Sequence, residues 1–174
     1  MEIKYKLVSQ DYKTYGNTDW TTNEWKSAEG NRGLCTSGCF HAYESPELAL
    51  FMNPIHADIE NPRMLEVEVK DFVANDGTKI GYRKMRRIRE ITFVVPTVEQ
   101  RVKFAIYAAK EVYKDSNFVI WANNWISGKD RSTEAARAAE AAASWAARDA
   151  ARAAAWAAKS NLDLNLIAKQ AMEK

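Results

Sequence analysis

Residues 64–95, MLEVEVKDFVANDGTKIGYRKMRRIREITFVV, decide the fold class of this chain of 174 residues. From Leu65 to Val69, apolar and acidic side chains alternate with the period of two that is typical of a strand. The Asp76-Gly77 pair is a turn signal, and residues 79–95 predict one or two further strands. The segment therefore predicts a mainly antiparallel sheet.

The residues before this segment add to the sheet. Ile3 to Val8 alternates and predicts a first strand, and residues 34–43 predict a second extended segment that Gly38 interrupts. Between them, residues 9–33 are polar and predict a long loop. We expect its two tryptophans to anchor it: Trp20 and Trp25.

Helix signals come next. Ser45-Pro46-Glu47 combines an N-cap serine with a proline at the first helical position, and it predicts a short helix that ends before Pro54. After Pro96 the periodicity is helical. Thr97 and Gln100 form a capping box for a helix with one apolar face, made by Val98, Val102, Ala105, Ala109 and Val112. A second helix, residues 118–126, is closed by Gly128.

A long alanine-rich helix is expected over residues 133–159, with a short amphipathic helix closing the chain. Tryptophans and basic residues recur every eleven residues, a spacing that keeps each set on one face. We expect intramolecular packing, or a surface for self-association or a partner, around Trp145, Arg148, Arg152 and Trp156. The predicted fold is α+β, with a sheet domain over residues 1–95 and a helical region over residues 96–174 packed on it as one compact unit.

Composition narrows the function classes. The apolar fraction is 47% and the net charge is +2, which favours a packed core and gives no sign of a nucleic-acid coat. Charges interrupt every apolar stretch, so we expect a soluble cytoplasmic protein with no membrane contact. No cofactor is expected. The two cysteines are expected to be thiols in such a compartment.

Several segments together resemble a family encoded mostly by phages and prophages. They are Tyr5-Lys6, a loop tryptophan, the Cys-x3-Cys-Phe-His element from Cys35 to His41, the strand from Leu65 to Val69 and the basic strand from Lys79. Cys39 stands where that family usually has glycine. The alanine-rich C-terminal half resembles helical tails of the immunity-protein type. This resemblance implies a phage accessory protein in the host cell, but no activity.

A second resemblance is local. Residues 38–42 with Ser45-Pro46-Glu47 resemble the strand-into-helix element of ADP-ribosyltransferase-like folds. The resemblance implies an enzyme that would use His41, Tyr43 and a glutamate, and the Glu66-x-Glu68 pair is the sequence candidate. The same two glutamates are also explained as exposed residues on one face of an alternating strand.

The segment CTSGCFH, residues 35–41, contains most of the reactive side chains. A zinc site would require Cys35, Cys39, His41 and His56, but their spacing is irregular for structural zinc, and buried thiols are favoured. Nucleophilic catalysis by Cys35 or Cys39 with His41 is a further option, since Cys39 and His41 would share one face of the strand, yet no third orienting residue is visible. No catalytic residue is therefore assigned.

Anion binding is the remaining chemistry. His41, followed by Tyr43 and Ser45, precedes a helix N-terminus, where free backbone donors can hold a phosphate or carboxylate. His41 as a structural hydrogen-bonding residue is the favoured alternative. The run KIGYRKMRRIRE is either a solvated strand face or an anion surface made by Lys79, Arg83, Arg86 and Arg87.

These observations favour a non-enzymatic function. We expect a counter-defence protein that binds stoichiometrically to a host defence protein, such as a CRISPR effector, or to a nucleotide immune signal. Nucleic acid is possible but not favoured. The alternatives are an ADP-ribosyltransferase-like enzyme and an oligomeric structural or virion-associated protein.

Overall fold

A hairpin of two long antiparallel strands forms the centre of the N-terminal part of the chain. The computed structural model describes residues 1–132, 134, 137 and 162–173. Its strands are β1 (Glu2–Val8), β2 (Lys13–Thr14), β3 (Thr18–Asp19), β4 (Lys26–Ser27), β5 (Phe40–Ala42), β6 (Arg63–Asn75) and β7 (Ile80–Ile91). Its helices are α1 (Pro46–His56), α2 (Val98–Val112), α3 (Ser116–Ile126) and α4 (Leu164–Met172). The predicted α+β class is confirmed.

The turn between β6 and β7 forms where the Asp76-Gly77 signal predicts it. The Asp76 carboxylate accepts hydrogen bonds from the backbone N–H groups of Thr78 and Lys79, both at 2.9 Å, and Gly77 takes a φ of 83°. These bonds close the turn locally and bring Asn75 opposite Ile80. Residues 79–95 contribute one strand to the hairpin.

The other strands of this sheet pair with the two outer edges of the hairpin, and the sheet curls so that its two sides meet. β1 pairs antiparallel with β6, while β4 and β5 both pair antiparallel with β7. A bridge of two backbone hydrogen bonds between Tyr5 and Tyr43, of 3.0 and 2.8 Å, then connects β1 to the end of β5. The curled sheet surrounds a core of Val8, Trp20, Ala42, Leu65, Val67, Val69, Ile80, Tyr82 and Met85.

Trp20 anchors the long loop between β1 and β5. It is fully buried in the core, and its Nε1 donates a hydrogen bond to Thr14 Oγ1 at 2.9 Å. Trp25 is half-buried, with Lys70 and Arg86 over its ring. The extended segment predicted over residues 34–43 is shorter than expected, because residues 33–38 make a turn and the strand begins at Phe40.

Helix α1 begins as predicted but ends later. The Ser45 hydroxyl accepts a hydrogen bond from Leu48 N–H, and Pro46 is the first helical residue. The expectation that the helix ends before Pro54 is wrong. Ala57 and Asp58 both donate backbone hydrogen bonds to Asn53 O, and the Asn53 amide pairs with both backbone groups of Ile59. Asn53 thus fixes the final turn, so Pro54 is tolerated inside it.

The helices after Pro96 form their own small core. Thr97 and Gln100 make both hydrogen bonds of the predicted capping box. Ile106 of α2 packs with Ala122 and Trp125 of α3. The apolar face predicted for α2 is partly wrong, because Val98 and Val112 are exposed while Phe104, Ala105 and Ile106 are buried. α2 packs against both α3 and α4. Contact with two neighbours buries residues that lie outside the single apolar face predicted from the sequence.

The chain divides into two compact units, Met1–Val95 and Pro96–Lys174, at the position where its periodicity changes. Helices in the described part of the chain are all too short or too polar to cross a membrane. Most of the alanine-rich segment, with Trp145, Arg148, Arg152 and Trp156, lies outside the described residues.

Candidate functional site

The candidate site is built around residues 33–38, which we call the Cys35 turn. Cys35 adopts a left-handed φ of 64°, and its side chain is exposed. Gly38 ends the turn against the backbone of Asn31, where an added Cβ would lie only 1.9 Å from the carbonyl oxygen. Only glycine permits this approach. The turn is thereby fixed above the start of β5.

The side chain of His41 supports the backbone of this turn. Its Nε2 accepts a hydrogen bond from the backbone N–H of Cys35 at 3.2 Å, so this nitrogen carries no proton. Burial, together with the charges of Lys6 and Lys79, lowers the pKa of His41 to about 4. His41 is therefore a neutral hydrogen-bond acceptor that supports the backbone, which agrees with the structural role and makes it a poor direct ligand for an anion.

Two buried lysines contact the segment that runs from this turn into β5. Lys6 on β1 and Lys79 before β7 are only 6% and 8% exposed. Lys6 Nζ donates to His41 O at 2.8 Å and lies 4.9 Å from the centre of the Trp20 ring. Lys79 Nζ donates to Cys35 Sγ at 3.1 Å. Both ammonium groups thus approach the same short segment.

Neither of these lysines has a carboxylate partner in the described part of the chain. The ion pairs found there use other residues, including Lys4, which is as buried as Lys79 but contacts both Glu2 and Glu44. Burial lowers the pKa of Lys6 to about 8, although the charge interaction with Cys39 acts to raise it. The site therefore has an excess of buried positive charge, which is costly without a counter-charge.

The two cysteines occupy different environments. Cys35 is exposed beside Lys79, whereas Cys39 is buried and its Sγ donates a hydrogen bond to Gly33 O at 3.2 Å. Burial, then the nearby Cys35, raises the pKa of Cys39. Gly81, opposite His41 in the sheet, leaves room for Cys39, since an added Cβ would lie 3.0 Å from its sulfur.

A chain of hydrogen bonds connects the end of α1 to the β6–β7 turn. Thr78 Oγ1 donates to Asp76 Oδ1 at 2.7 Å, so it must accept from His56 Nε2, which lies 3.4 Å away. His56 Nδ1 is then the acceptor for the Tyr43 hydroxyl, at 3.3 Å. Burial and then Lys79 lower the pKa of His56 to about 4, so the ring is neutral.

Asp76 is the anionic end of this chain. Burial acts to raise the pKa of its carboxyl, but hydrogen bonds from Thr78 and from the Lys79 backbone outweigh burial, and the pKa is lowered. These donors already stabilise the negative charge of the Asp76 carboxylate. The carboxylate interacts with the Lys79 ammonium only at longer range.

The remaining predicted anion-binding residues are not gathered at this turn. Ser45 is buried, and its hydroxyl caps α1. Arg86 pairs with Glu68, and Arg87 lies 4.6 Å from the Tyr12 ring centre and donates to the carbonyls of Trp20 and Thr21. Arg83 donates to Gly30 O. Each arginine thus has partners within the chain, and the basic run stabilises neighbouring loops.

The candidate glutamates of an enzyme are also engaged. Arg89 contacts Glu66 through two nitrogens, and Glu68 pairs with Arg86 across the hairpin. The expectation that both are exposed strand residues is wrong for Glu68, which is only 5% exposed and pairs with Arg86, whose guanidinium in turn lies against the Trp25 ring.

The positions of the four candidate metal ligands give no support for a metal site. Within the described ranges, no group of three or more His, Cys, Asp or Glu side chains is arranged to hold a metal ion. The four candidate ligands are used elsewhere: Cys35 contacts Lys79, Cys39 contacts Gly33, His41 contacts the Cys35 backbone, and His56 lies between Tyr43 and Thr78.

Sequence reasoning missed Lys6 and the partners of His56. A signal for Lys6 existed, since Lys4, Lys6 and Val8 fall on the same side of an alternating strand. The groups that cover this side, such as Trp20 and Glu44, are distant in sequence, so the strand pattern does not predict the burial of its lysines.

Comparison of the chain with curated proteins and with solved structures gives no match. Comparison with protein families gives a match over residues 3–95, just over half of the chain. The matched region includes the strands and the helix that contribute to the site. The chain therefore belongs to the DUF7666 family, a domain of unknown function.

Proposed function

We propose that the protein is a phage-encoded counter-defence protein that acts by stoichiometric binding, and that its α+β unit binds a nucleotide-type signal through the phosphate groups. The observation that carries this proposal is the pair of buried ammonium groups, on Lys6 and Lys79, that contact the segment from Cys35 to His41 without a carboxylate partner in the described part of the chain. The phage setting is supported by the resemblance of the strand and turn motifs to phage-encoded proteins.

The charge balance favours an anion as the ligand. A buried ammonium group loses its hydration and recovers little from a carbonyl, a thiol or an aromatic ring. A phosphate group would supply the missing negative charge and accept charge-assisted hydrogen bonds from both lysines. Cys35, which accepts the hydrogen bond of Lys79, is exposed, so a ligand would reach the Lys79 ammonium from the side of this turn.

The occupied polar groups favour binding over catalysis. An ADP-ribosyltransferase-like reaction would require a free glutamate, but Glu66 and Glu68 are both paired with arginines. His41 accepts a hydrogen bond from the backbone, and the Tyr43 hydroxyl donates to His56. The polar groups of this alternative are used to hold the fold.

Isothermal titration calorimetry tests the proposal with the full chain. The ligands would be a cyclic dinucleotide, a cyclic oligoadenylate, ATP, NAD and inorganic phosphate. We expect at least one nucleotide to bind with a stoichiometry of one. Lys79→Met and Lys6→Met should each weaken it about tenfold or more, the value of one charge-assisted hydrogen bond.

Lys84→Met is the matched control, because Lys84 is an exposed lysine on β7 whose only ion pair within the described residues is with Asp71 at 3.5 Å. It should leave the affinity unchanged. Absence of binding across the panel, or binding that neither lysine variant weakens, would refute the proposal. Chromatography of the recovered nucleotides separates binding from catalysis, since consumption of NAD would favour the enzyme.

A further inference from the structure

The contact between Cys35 and Lys79 has a chemical consequence that does not depend on a nucleotide. Cys35 is an exposed residue, whereas Lys79 is more than nine-tenths buried and directs its ammonium at the Cys35 sulfur from 3.1 Å. In the described residues, the thiol is the only side chain that receives a hydrogen bond from this ammonium. The pair therefore joins an accessible sulfur to a fixed positive charge.

The geometry of both groups is fixed by the backbone. The Cys35 N–H donates to His41, and the backbone N–H of Lys79 donates to the Asp76 carboxylate. The Lys79 side chain is also buried, which restricts the motion of its ammonium away from the sulfur. A cation held beside a sulfur stabilises the negative charge of the thiolate through which cysteine reacts as a nucleophile.

Cys39 provides a comparison within the same segment. Its sulfur is buried and donates a hydrogen bond to Gly33 O, and burial raises the pKa of this thiol. Cys39 is thus kept protonated and covered, only four residues away from a sulfur that is exposed and paired with a cation.

We propose that Cys35 is a covalent modification site that reacts with peroxides and soft electrophiles, and that Lys79 is the positioning residue whose ammonium holds its sulfur in place and stabilises the negative charge that develops as it reacts. With hydrogen peroxide, the sulfur gives its proton to solvent and attacks one oxygen, an S–O bond forms and the O–O bond breaks. The leaving hydroxide takes a proton from the Lys79 ammonium and becomes water, and solvent reprotonates the lysine. Sulfur is oxidised by two electrons to a sulfenic acid, and the peroxide is reduced.

Competitive labelling of the full chain tests this site. The folded protein is treated with limiting iodoacetamide, or with hydrogen peroxide in the presence of dimedone, and the modified cysteine is identified by peptide mass spectrometry. We expect Cys35 to react about tenfold or more faster in the folded protein than in the same chain unfolded in urea at equal pH, and Cys39 to be slower than in the unfolded chain.

Lys79→Met should bring the Cys35 rate down to that of the unfolded chain, whereas Lys79→Arg, which keeps a cation at this position, should retain most of the wild-type rate. Lys84→Met is the control and should leave the rate unchanged. Equal rates in the folded and unfolded wild type would overturn the proposal, and so would an unchanged rate in Lys79→Met. If Lys79→Met does not fold, the wild-type comparison decides alone.

Discussion

Lys6 is buried between the Trp20 ring and the carbonyl oxygen of His41, with no carboxylate partner in the described residues. Its ordinary pKa of 10.5 is lowered by burial to about 8 in the folded chain. A shift of this size corresponds to a folding cost on the order of 3 kcal/mol when the lysine is charged, part of which the ring contact offsets. Such a residue weakens the fold unless a ligand uses its charge.

Lys6→Met should therefore stabilise the protein while it removes ligand binding. We expect the free energy of unfolding at pH 7 to rise by about 1 to 3 kcal/mol, because the variant fills the same space without a buried charge. In the wild type, the unfolded chain binds more protons than the folded chain between pH 8 and 10.5. Its stability should accordingly rise with pH over that window, and this rise should be smaller in Lys6→Met.

Urea unfolding followed by fluorescence at pH 7 and pH 10 measures both effects. Lys84→Met is the control and should stay within about 0.5 kcal/mol of the wild type at each pH, since its ammonium is exposed. A Lys6→Met chain that is less stable than the wild type at both pH values would contradict the prediction, because the contacts with His41 and Trp20 would then outweigh the cost of burial.

Among single residues, the role that the sequence favours for His41 agrees with the structure, whereas the source of the positive charge was not predictable. His41 lies at the predicted corner and accepts a hydrogen bond from the backbone of Cys35, as a structural residue does, where an anion-binding residue would donate one. The positive charge of the site comes instead from Lys6 and Lys79. Only Lys79 was a sequence candidate, because burial of a lysine depends on groups that the fold brings from other segments.

The Cys35 turn is the element on which both proposals depend. Gly38 closes it, and a Cβ at this position would meet the backbone of Asn31 and Gly30 at 1.9 to 3.0 Å. Backbone atoms cannot move aside as a side-chain end can. Gly33, in the same turn, has only the flexible Thr36 methyl within reach, at 3.3 Å, and no left-handed φ.

Gly38→Ala should therefore destabilise the protein by about 2 to 4 kcal/mol, while Gly33→Ala should cost less than about 1 kcal/mol. Gly38→Ala should also slow the labelling of Cys35, because a displaced turn separates the sulfur from Lys79. Urea unfolding and iodoacetamide labelling of the two variants measure these effects. Equal stability of Gly38→Ala and Gly33→Ala would contradict the close approach to Asn31.

Elements with local signals were predicted correctly, whereas those that depend on neighbours were not. The Ser45 and Thr97 caps and the Asp76-Gly77 turn are local hydrogen-bond patterns, and all three form. The end of α1 depends on Asn53 pairing with Ile59, six residues later. The exposure of Val98 depends on where α3 and α4 pack on α2, and the helix period does not contain that information.

The whole molecule consists of two units whose predicted roles differ. The α+β unit, which contains the family match, carries the two buried lysines and the Cys35 turn. The second unit includes the alanine-rich segment, where the sequence predicts either intramolecular packing or a surface for self-association or a protein partner. If these roles are separate, variants in one unit should leave the function of the other intact.

Native mass spectrometry of the full chain, with the nucleotide that binds best, tests this separation in one measurement. We expect the wild type to form species heavier than the 19.7 kDa chain, with nucleotide bound. Trp145→Ala with Trp156→Ala should shift the mass to the single chain and keep the nucleotide, because large aromatic side chains are the usual anchors of such surfaces. Lys79→Met should keep the assembly and lose the nucleotide, since its buried charge lies in the other unit. Simultaneous loss of both in either variant would show that assembly and ligand binding are coupled, and a bare wild-type monomer would contradict both roles.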